Sequence, residues 1–170
     1  MSMFKRLLVV TALAGSLLLA GTAAYAIVTV RSGSVTDQQQ FVHDTNPFTT
    51  GSAAFVTVPT SWTSMTITSP HMFDARFTAE ARCAGNAGWC SVRIILVTPA
   101  GVITELDPVV GTDFAFDSAP ADTGEGHAIE RTSAVMAPGS YRFGVQVAVV
   151  GGATAAWLDD WTFTVAAVRP

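Results

Sequence analysis

Four acidic side chains lie close together in one polar stretch of the sequence and could bind a metal ion. They are Asp113, Asp117, Asp122 and Glu125. Carboxylate oxygens are preferred ligands of Ca²⁺, so this stretch contains a candidate calcium site. The spacing does not match an EF-hand loop, and acidic side chains are mostly solvated. A Ca²⁺ site and an ordinary solvated loop therefore remain as alternatives.

The histidines could supply an acid–base group or a metal ligand. His43, His71 and His127 are far apart in the sequence, and none lies in an H-E-x-x-H motif or near a G-x-S-x-G motif. His127 follows the acidic stretch and is a candidate ligand-binding residue. A secreted hydrolase or metal-dependent enzyme built around His127 and these acids is one hypothesis, which requires them to converge in one cleft.

The tryptophans could present flat aromatic surfaces to sugar rings, although packing in the core is their other common role. Trp161 lies within a predicted strand and is expected in the core. Trp89 lies between the two cysteines and is the candidate contact residue. Trp62 and Trp157 are further indoles that could present such a surface. A glycan is therefore one candidate ligand, and another protein is the alternative.

Cys83 and Cys90 are the only cysteines, and they flank the sequence AGNAGW between two predicted strands. In an exported protein, an even pair across a hairpin loop predicts a disulfide. A redox motif normally has C-x-x-C spacing, and a zinc site needs further ligands. We expect a structural disulfide that stabilises the fold by about 2 to 3 kcal/mol.

Composition excludes several classes of protein. The 170 residues are 49% hydrophobic and 13% charged, with a formal net charge of −4. Disordered chains have low hydrophobicity and nucleic-acid-binding domains have an excess of basic residues, so neither class fits. Lys5 is the only lysine. Beyond residue 26 the chain therefore offers no amine for a Schiff base or a P-loop.

The N-terminus has the three-part layout of a secretory signal peptide. Lys5 and Arg6 precede an apolar run at 7–21, and small residues surround Ala26. Cleavage after Ala26 would leave one domain at 27–170, with seven arginines, thirteen acidic residues and a formal net charge of −6. The apolar stretch continues to residue 30, so an uncleaved membrane anchor is the alternative. In both cases the domain is predicted to be extracellular.

Alternation of apolar and polar residues predicts an all-β domain. Phe77, Ala79, Ala81 and Cys83 alternate with polar residues. The large apolar residues at 141–149 alternate with Arg142, Gly144, Gln146 and Ala148. The predicted strands are 27–31, 54–58, 65–68, 72–83, 90–98, 102–106, 112–116, 128–135, 140–150 and 153–168 with a break. This number of short strands predicts a two-sheet antiparallel sandwich, jelly-roll-like, with one hairpin disulfide.

Two polar segments are predicted to be long loops. Residues 33–52 are predicted as a loop with at most one short edge strand, and 117–127 as a second loop. The adjacent acids Asp159 and Asp160 interrupt the alternation of the last strand and predict a bulge or a corner. One of the two carboxylates is expected either to cap local backbone donors or to pair with an arginine.

The sequence also resembles known proteins. The strings ARFTAEARCAGNAGWCSVRI, GTDFAFDS, HAIERTSAVMAPGSYRFGVQ and LDDWTFTV resemble those of a group of small exported bacterial all-β proteins without an assigned activity. The string PGSYRF resembles a strand of the C1q/TNF-like jelly roll, which implies a core-facing Tyr141 and Phe143 and favours a trimer.

These observations predict a secreted, non-catalytic surface or ligand-binding module whose contacts come from 33–52 and 117–127. The hydrolase described above is the first alternative. A structural subunit of a homo-oligomer is the second, and a large exposed apolar patch would favour it.

Overall fold

The computed structural model describes Gly33, residues 35–121 and residues 123–170. The predicted signal peptide at 1–26, the predicted strand at 27–31 and Asp122 lie outside this part of the chain. Within it, no helix is long and apolar enough to cross a membrane.

The described residues form eleven β-strands and a 3-10 turn at Gly111–Asp113. The strands are β1 (Val35–Asp44), β2 (Phe48–Thr50), β3 (Val56–Thr57), β4 (Thr63–Ile67), β5 (Met72–Gly85), β6 (Trp89–Val97), β7 (Ile103–Glu105), β8 (Asp117–Ser118), β9 (Glu125–Thr132), β10 (Gly139–Val150) and β11 (Ala153–Arg169).

The strands form two antiparallel sheets, which confirms the predicted sandwich. The first sheet has the order β1-β11-β5-β9, and β2 continues the line of β1 along β11. The second sheet has the order β3-β10-β6-β7. In this sheet β4 pairs with β10 on the same side as β3, and β8 pairs with β6.

The strand order is that of a jelly roll. Three pairs of consecutive strands each act as one interrupted strand. The pairs are β1 with β2, β3 with β4, and β7 with β8. Each such pair is counted as one strand, and the resulting eight strands are numbered again in chain order. Their order is then 1-8-3-6 in the first sheet and 2-7-4-5 in the second. Successive strands thus alternate between the two sheets, except that strands 4 and 5 are neighbours in the second sheet, in the manner of a double Greek key.

Both of the predicted core faces are buried. The residues predicted to point inward at 77–83 and 141–149 have exposures of 0 to 7%. Phe73 joins the two faces, because its ring lies 4.8 Å from that of Phe143 and 5.1 Å from that of Tyr141. Trp161 is 1% exposed, with its ring 6.0 Å from that of Phe77, which confirms its predicted place in the core.

The predicted disulfide between Cys83 and Cys90 is present, with a Cα–Cα distance of 5.6 Å. Its setting differs from a hairpin between paired strands. Cys83 lies on β5 in the first sheet and Cys90 on β6 in the second. The disulfide therefore links the two layers of the sandwich.

The prediction of a loop at 33–52 is wrong for most of the segment. β1 is ten residues long and pairs with β11 from Val35↔Arg169 to Asp44↔Trp161. Its residues at 35–41 are all exposed, and tertiary pairing, not local propensity, makes this polar stretch a strand. The second predicted loop, 117–127, is shorter than expected because β8 and the start of β9 fall within it.

The predicted strand at 112–116 is replaced by the 3-10 turn followed by extended chain. Gly111 has a positive φ of 56°, which suits a turn and not a strand. The carbonyl of Thr112 accepts a hydrogen bond from the indole of Trp89 at 2.7 Å. Phe116 nevertheless reaches the core and is 4% exposed.

The predicted bulge in the last strand is present. The register of β11 against β5 shifts between Asp159 and Thr162, and Asp160 has a positive φ of 43°. The N–H of Asp160 donates to Asp159 Oδ1 at 2.9 Å, as predicted for one of the two acids. β11 continues through the bulge as one strand of 17 residues.

Candidate functional site

The outer face of the second sheet is covered by the protein's own chain. Three residues on this face, Ser91, Ile95 and Ala148, are 0 to 1% exposed, although they do not face the core. The indole of Trp62 lies over Gly144, whose register partner is Ile95. The ring of Phe55 lies 4.0 Å from the guanidinium carbon of Arg93, on the same face.

Residues 110–112 cover another part of this face. Glu105 Oε1 accepts the N–H groups of Val110 and Gly111 at 3.0 and 3.2 Å. Ser91 Oγ donates to the Gly111 carbonyl at 3.3 Å. Glu105 also lies 3.6 Å from Arg93, so the anchoring carboxylate has a charged partner.

Part of the outer face of the first sheet is open. Register places Phe41, Thr164, Arg76 and Glu130 in one row across β1, β11, β5 and β9. Phe41 alternates with Val42, which packs against the core, so the Phe41 ring points outward and is 64% exposed. The row combines an aromatic ring, a hydroxyl, a guanidinium and a carboxylate.

The next row towards the bulge is formed by His43, Thr162, Thr78 and Ala128. Three of these four side chains are exposed and Thr78 is half-buried. Apart from His43 its side chains are small, so it makes a shallow floor beside the larger Phe41 row. We call these two rows together the open face.

A shallow hollow of about 400 Å³ adjoins the open face at the bulge in β11. Its walls include Thr78, Glu80, His127 and Asp160. Asp159 and Glu80 are register partners, so the bulge places the carboxylates of β5 and β11 on adjacent strands beside the hollow. Bulges commonly redirect side chains in this way.

Asp117 and His127 are the two predicted candidates that the fold brings together. His127 Nε2 lies 3.8 Å from Asp117 Oδ1, and the side chains are 25% and 10% exposed. The imidazole ring packs 5.4 Å from the ring of Phe116. A carboxylate beside an imidazole can orient the ring and stabilise its charge, as acid–base catalysis requires.

This pair has unused hydrogen-bonding capacity. Asp117 Oδ1 accepts the N–H of Ser118 at 2.7 Å. Among the described residues, Asp117 Oδ2 and His127 Nε2 are buried and have no hydrogen-bond partner. No described hydroxyl or thiol is therefore placed to exchange a proton with Nε2 in this conformation.

The calcium candidates do not converge with this pair. Asp113 is exposed in the 3-10 turn, and Glu125 is exposed at the start of β9. Within the described ranges, no three His, Cys, Asp or Glu side chains are grouped closely enough to hold a metal ion. Asp122 lies outside those ranges.

The tryptophans lie in different parts of the molecule and form no shared platform. Trp89 is half-buried on the second sheet, where its Nε1–H donates to the Thr112 carbonyl. Trp62 is half-buried beneath the guanidinium of Arg142, at 4.7 Å. Trp157 lies on the first sheet, with the Arg82 guanidinium 4.6 Å above its ring.

Sequence reasoning missed most of the open face. Phe41 sits beside Val42 in a polar segment, so no alternation marks it as an outward-facing strand residue. Thr78 and Glu80 were visible as the polar side of a predicted strand, but their neighbours on β11 are about 80 residues away. The Asp159–Asp160 pair was the one signal of an irregular site.

Comparison with known proteins identifies no family. No protein-family model matches the chain, and no curated protein matches it.

Comparison with solved structures gives distant likenesses, at low sequence identity and TM-scores below 0.5. One is the structure of infectious bursal disease virus Gx strain, at 11% identity and a TM-score of 0.48, over 86% of this chain and 36% of that chain. Another is the CBM22-1 xylan-binding domain from Paenibacillus barcinonensis Xyn10C, at 8% identity and a TM-score of 0.36, over 84% and 99%. A third is the Aeromonas sobria serine protease in complex with its chaperone, at 15% identity and a TM-score of 0.33, over 80% and 27%.

This chain spans about a third of the length of the viral chains. All three likenesses concern the fold alone.

Proposed function

We propose that this chain is an exported, non-catalytic binding module and that the open face of the first sheet contacts its ligand. The observation that supports this proposal is the difference between the outer faces of the two sheets. The second sheet is covered by its own loops, whereas the first sheet presents an exposed ring and polar side chains in register. The layout of residues 1–26 supports export.

The chemistry of the open face favours a glycan as the ligand. A sugar ring has apolar C–H surfaces that pack on an aromatic side chain, and hydroxyls that exchange hydrogen bonds with polar groups. Phe41 offers the ring, with Thr164, Arg76 and Glu130 in the same row. The hollow beside Thr78 extends this surface along the sheet. The predicted contact segments 33–52 and 117–127 border the same face at β1 and at β9.

Thermal melting in the presence of soluble cell-wall and plant oligosaccharides tests this proposal. A glycan that binds only the folded protein raises the melting temperature. We expect a shift in the wild type that is lost in Phe41→Ala. Val109→Ala is the matched control, because Val109 is also 64% exposed but does not belong to the first sheet.

Each outcome has a distinct meaning. A glycan shift that persists in Phe41→Ala would show that the open face is not the binding surface. No shift with any glycan would contradict the glycan assignment. Sizing of the protein would then test the homo-oligomer, for which exposed Val102, Ile103 and Val109 are the relevant apolar side chains.

A hydrolase remains the second candidate because Asp117 and His127 lie side by side. Ester and glycoside substrates with a chromogenic leaving group would test it. If the pair is catalytic, His127→Gln should abolish turnover while Val109→Ala, which lies outside the pair and the open face, should not. Equal turnover in both variants would remove this candidate.

A further inference from the structure

A buried histidine ties the edge strand β1 to the rest of the sandwich. His71 is 3% exposed and lies just before β5. Its Nδ1 is 2.8 Å from the carbonyl oxygen of Ser69, and its Nε2 is 2.7 Å from Asp37 Oδ2. Both partners are acceptors when Asp37 is ionised, so both ring nitrogens must donate. Only the imidazolium form of histidine does this.

The carboxylate of Asp37 is shared by three parts of the fold. Its Oδ2 also accepts from Arg169 Nε, at 2.7 Å, at the end of β11. Asp37 is the extra residue of a bulge in β1, where the register shifts between Thr36 and Gln38. The bulge turns this side chain towards His71, as bulges commonly do.

The charges around the ring are Asp37 from β1 and Arg169 from β11. The Ser69 carbonyl, followed by Asp37, raises the pKa of His71, while burial and Arg169 act in the opposite direction. Hydrogen bonds from Arg169 and then from His71 lower the pKa of Asp37. The pair is therefore charged over a wider pH range than either group would be alone.

We infer that Asp37, His71 and Arg169 form a pH-dependent clasp that holds the edge strand β1 on the sandwich. The clasp is closed when His71 is an imidazolium and Asp37 is a carboxylate. Loss of the second ring proton leaves either the Ser69 carbonyl or Asp37 without its hydrogen bond from the ring. β1 is then held in this region by its pairing with β11, by the bond from Arg169 Nε to Asp37 and by the bond from Gln38 Nε2 to the Thr66 carbonyl.

The direction of the pH dependence follows from the two shifts. Because the pKa of His71 is raised on folding, its contribution is complete below the ordinary histidine pKa of about 6.5. It is lost as the pH rises through the raised value. Because the pKa of Asp37 is lowered, its contribution is lost only in stronger acid, below its ordinary value. The clasp is therefore strongest in mildly acidic solution and opens on the alkaline side.

Hydrogen–deuterium exchange on the intact, oxidised protein tests this inference. After correction for intrinsic exchange rates, protection of the amides at 36–40 should fall about tenfold from about pH 5.5 to about pH 9.5. Amides at the centre of β10 provide the internal reference, because that strand is paired on both sides. Protection there should stay constant.

Two variants separate the clasp from general loosening of the edge. Asp37→Asn keeps the size of the side chain but removes its charge, so protection of β1 should be lower than in the wild type at mildly acidic pH and nearly independent of pH. His43→Gln changes an exposed histidine on the same strand and should keep the wild-type profile. A flat wild-type profile, or the same profile in Asp37→Asn, would overturn the inference.

A spectroscopic measurement on the wild type does not depend on the folding of any variant. The ring ¹⁵N shifts of His71 should show protons on both nitrogens at about pH 6. A His71 ring that is a neutral tautomer at about pH 6 would overturn the clasp outright.

Discussion

Cys83 and Cys90 join one strand of the first sheet to one strand of the second, so their disulfide fastens the two layers of the sandwich to each other. The two cysteines are seven positions apart, and closing this short loop is expected to stabilise the folded state by about 2.5 kcal/mol. The double substitution Cys83→Ser with Cys90→Ser should lose that amount in urea unfolding. A reductant should lower the stability of the wild type similarly and leave the double variant unchanged. Equal unfolding midpoints for oxidised and reduced wild type would contradict this prediction.

The covered and open outer faces should respond differently to one added methyl group. A Cβ on Gly144 would lie 2.9 Å from the indole of Trp62, whereas a Cβ on Gly126 would have no atom within 4 Å. Gly144→Ala should therefore displace the indole and cost about 1 to 3 kcal/mol. Gly126→Ala should change the free energy of unfolding by less than about 0.5 kcal/mol. Similar losses in the two variants would argue against the difference between the faces.

Ser61 replaces a strand partner where the β3–β4 line is interrupted. Its fully buried Oγ accepts the N–H of Val145 at 3.1 Å and donates to the Val58 carbonyl at 2.8 Å. Ser61→Ala leaves the Val145 N–H buried without this acceptor, and we expect a loss of about 1 to 3 kcal/mol in chemical unfolding. Ser64→Ala, at an exposed position of β4, is the control and should be close to neutral. A neutral Ser61→Ala would show that the backbone finds another partner.

The ionised carboxylate of Asp74 is expected to lower the free energy of unfolding at neutral pH. Burial, and then the nearby Glu130, raise the pKa of Asp74, and its Oδ1 is buried without a hydrogen-bond partner in the described part of the chain. Because the pKa is raised on folding, ionisation lowers stability as the pH rises through that value. Asp74→Asn should therefore raise the melting temperature by about 2 °C at neutral pH. The difference should disappear below about pH 3.5.

A melting curve for each protein across this pH range measures that effect. Asp113→Asn, which alters an exposed carboxylate in the 3-10 turn, controls for the change in net charge. A variant of Asp74 that is less stable than the wild type at neutral pH would show that its ionised carboxylate makes a favourable interaction.

The sequence was most informative where one strand face is buried. Phe77 and Phe143 sit in runs of strict alternation, and this pattern identifies both strands and their inward faces. β1 could not be found in this way, since most of its side chains are exposed. What makes it a strand is the backbone of β11, which is more than 100 residues away in the chain.

The candidate sites show the same division. Asp117 and His127 could be selected from the sequence because both flank one polar segment, yet their separation of 3.8 Å depends on how β8 and β9 are placed. The Phe41–Thr164 neighbourhood arises only from the β1–β11 register. Local chemistry can be read from sequence, but juxtaposition across a sheet needs the long-range pairing that strand propensity does not encode.

The pairing of Val35 with Arg169 places the two ends of the described sandwich at one corner. β11 runs from there for 17 residues, which at strand geometry is about 50 Å, to the turn at Gly151 and Gly152. That turn and the disulfide thus lie at the far end of the described sandwich. A fluorophore or resin coupled after Pro170 would leave this far end unobstructed, and a chain circularised through this corner could be reopened at residues 151–152.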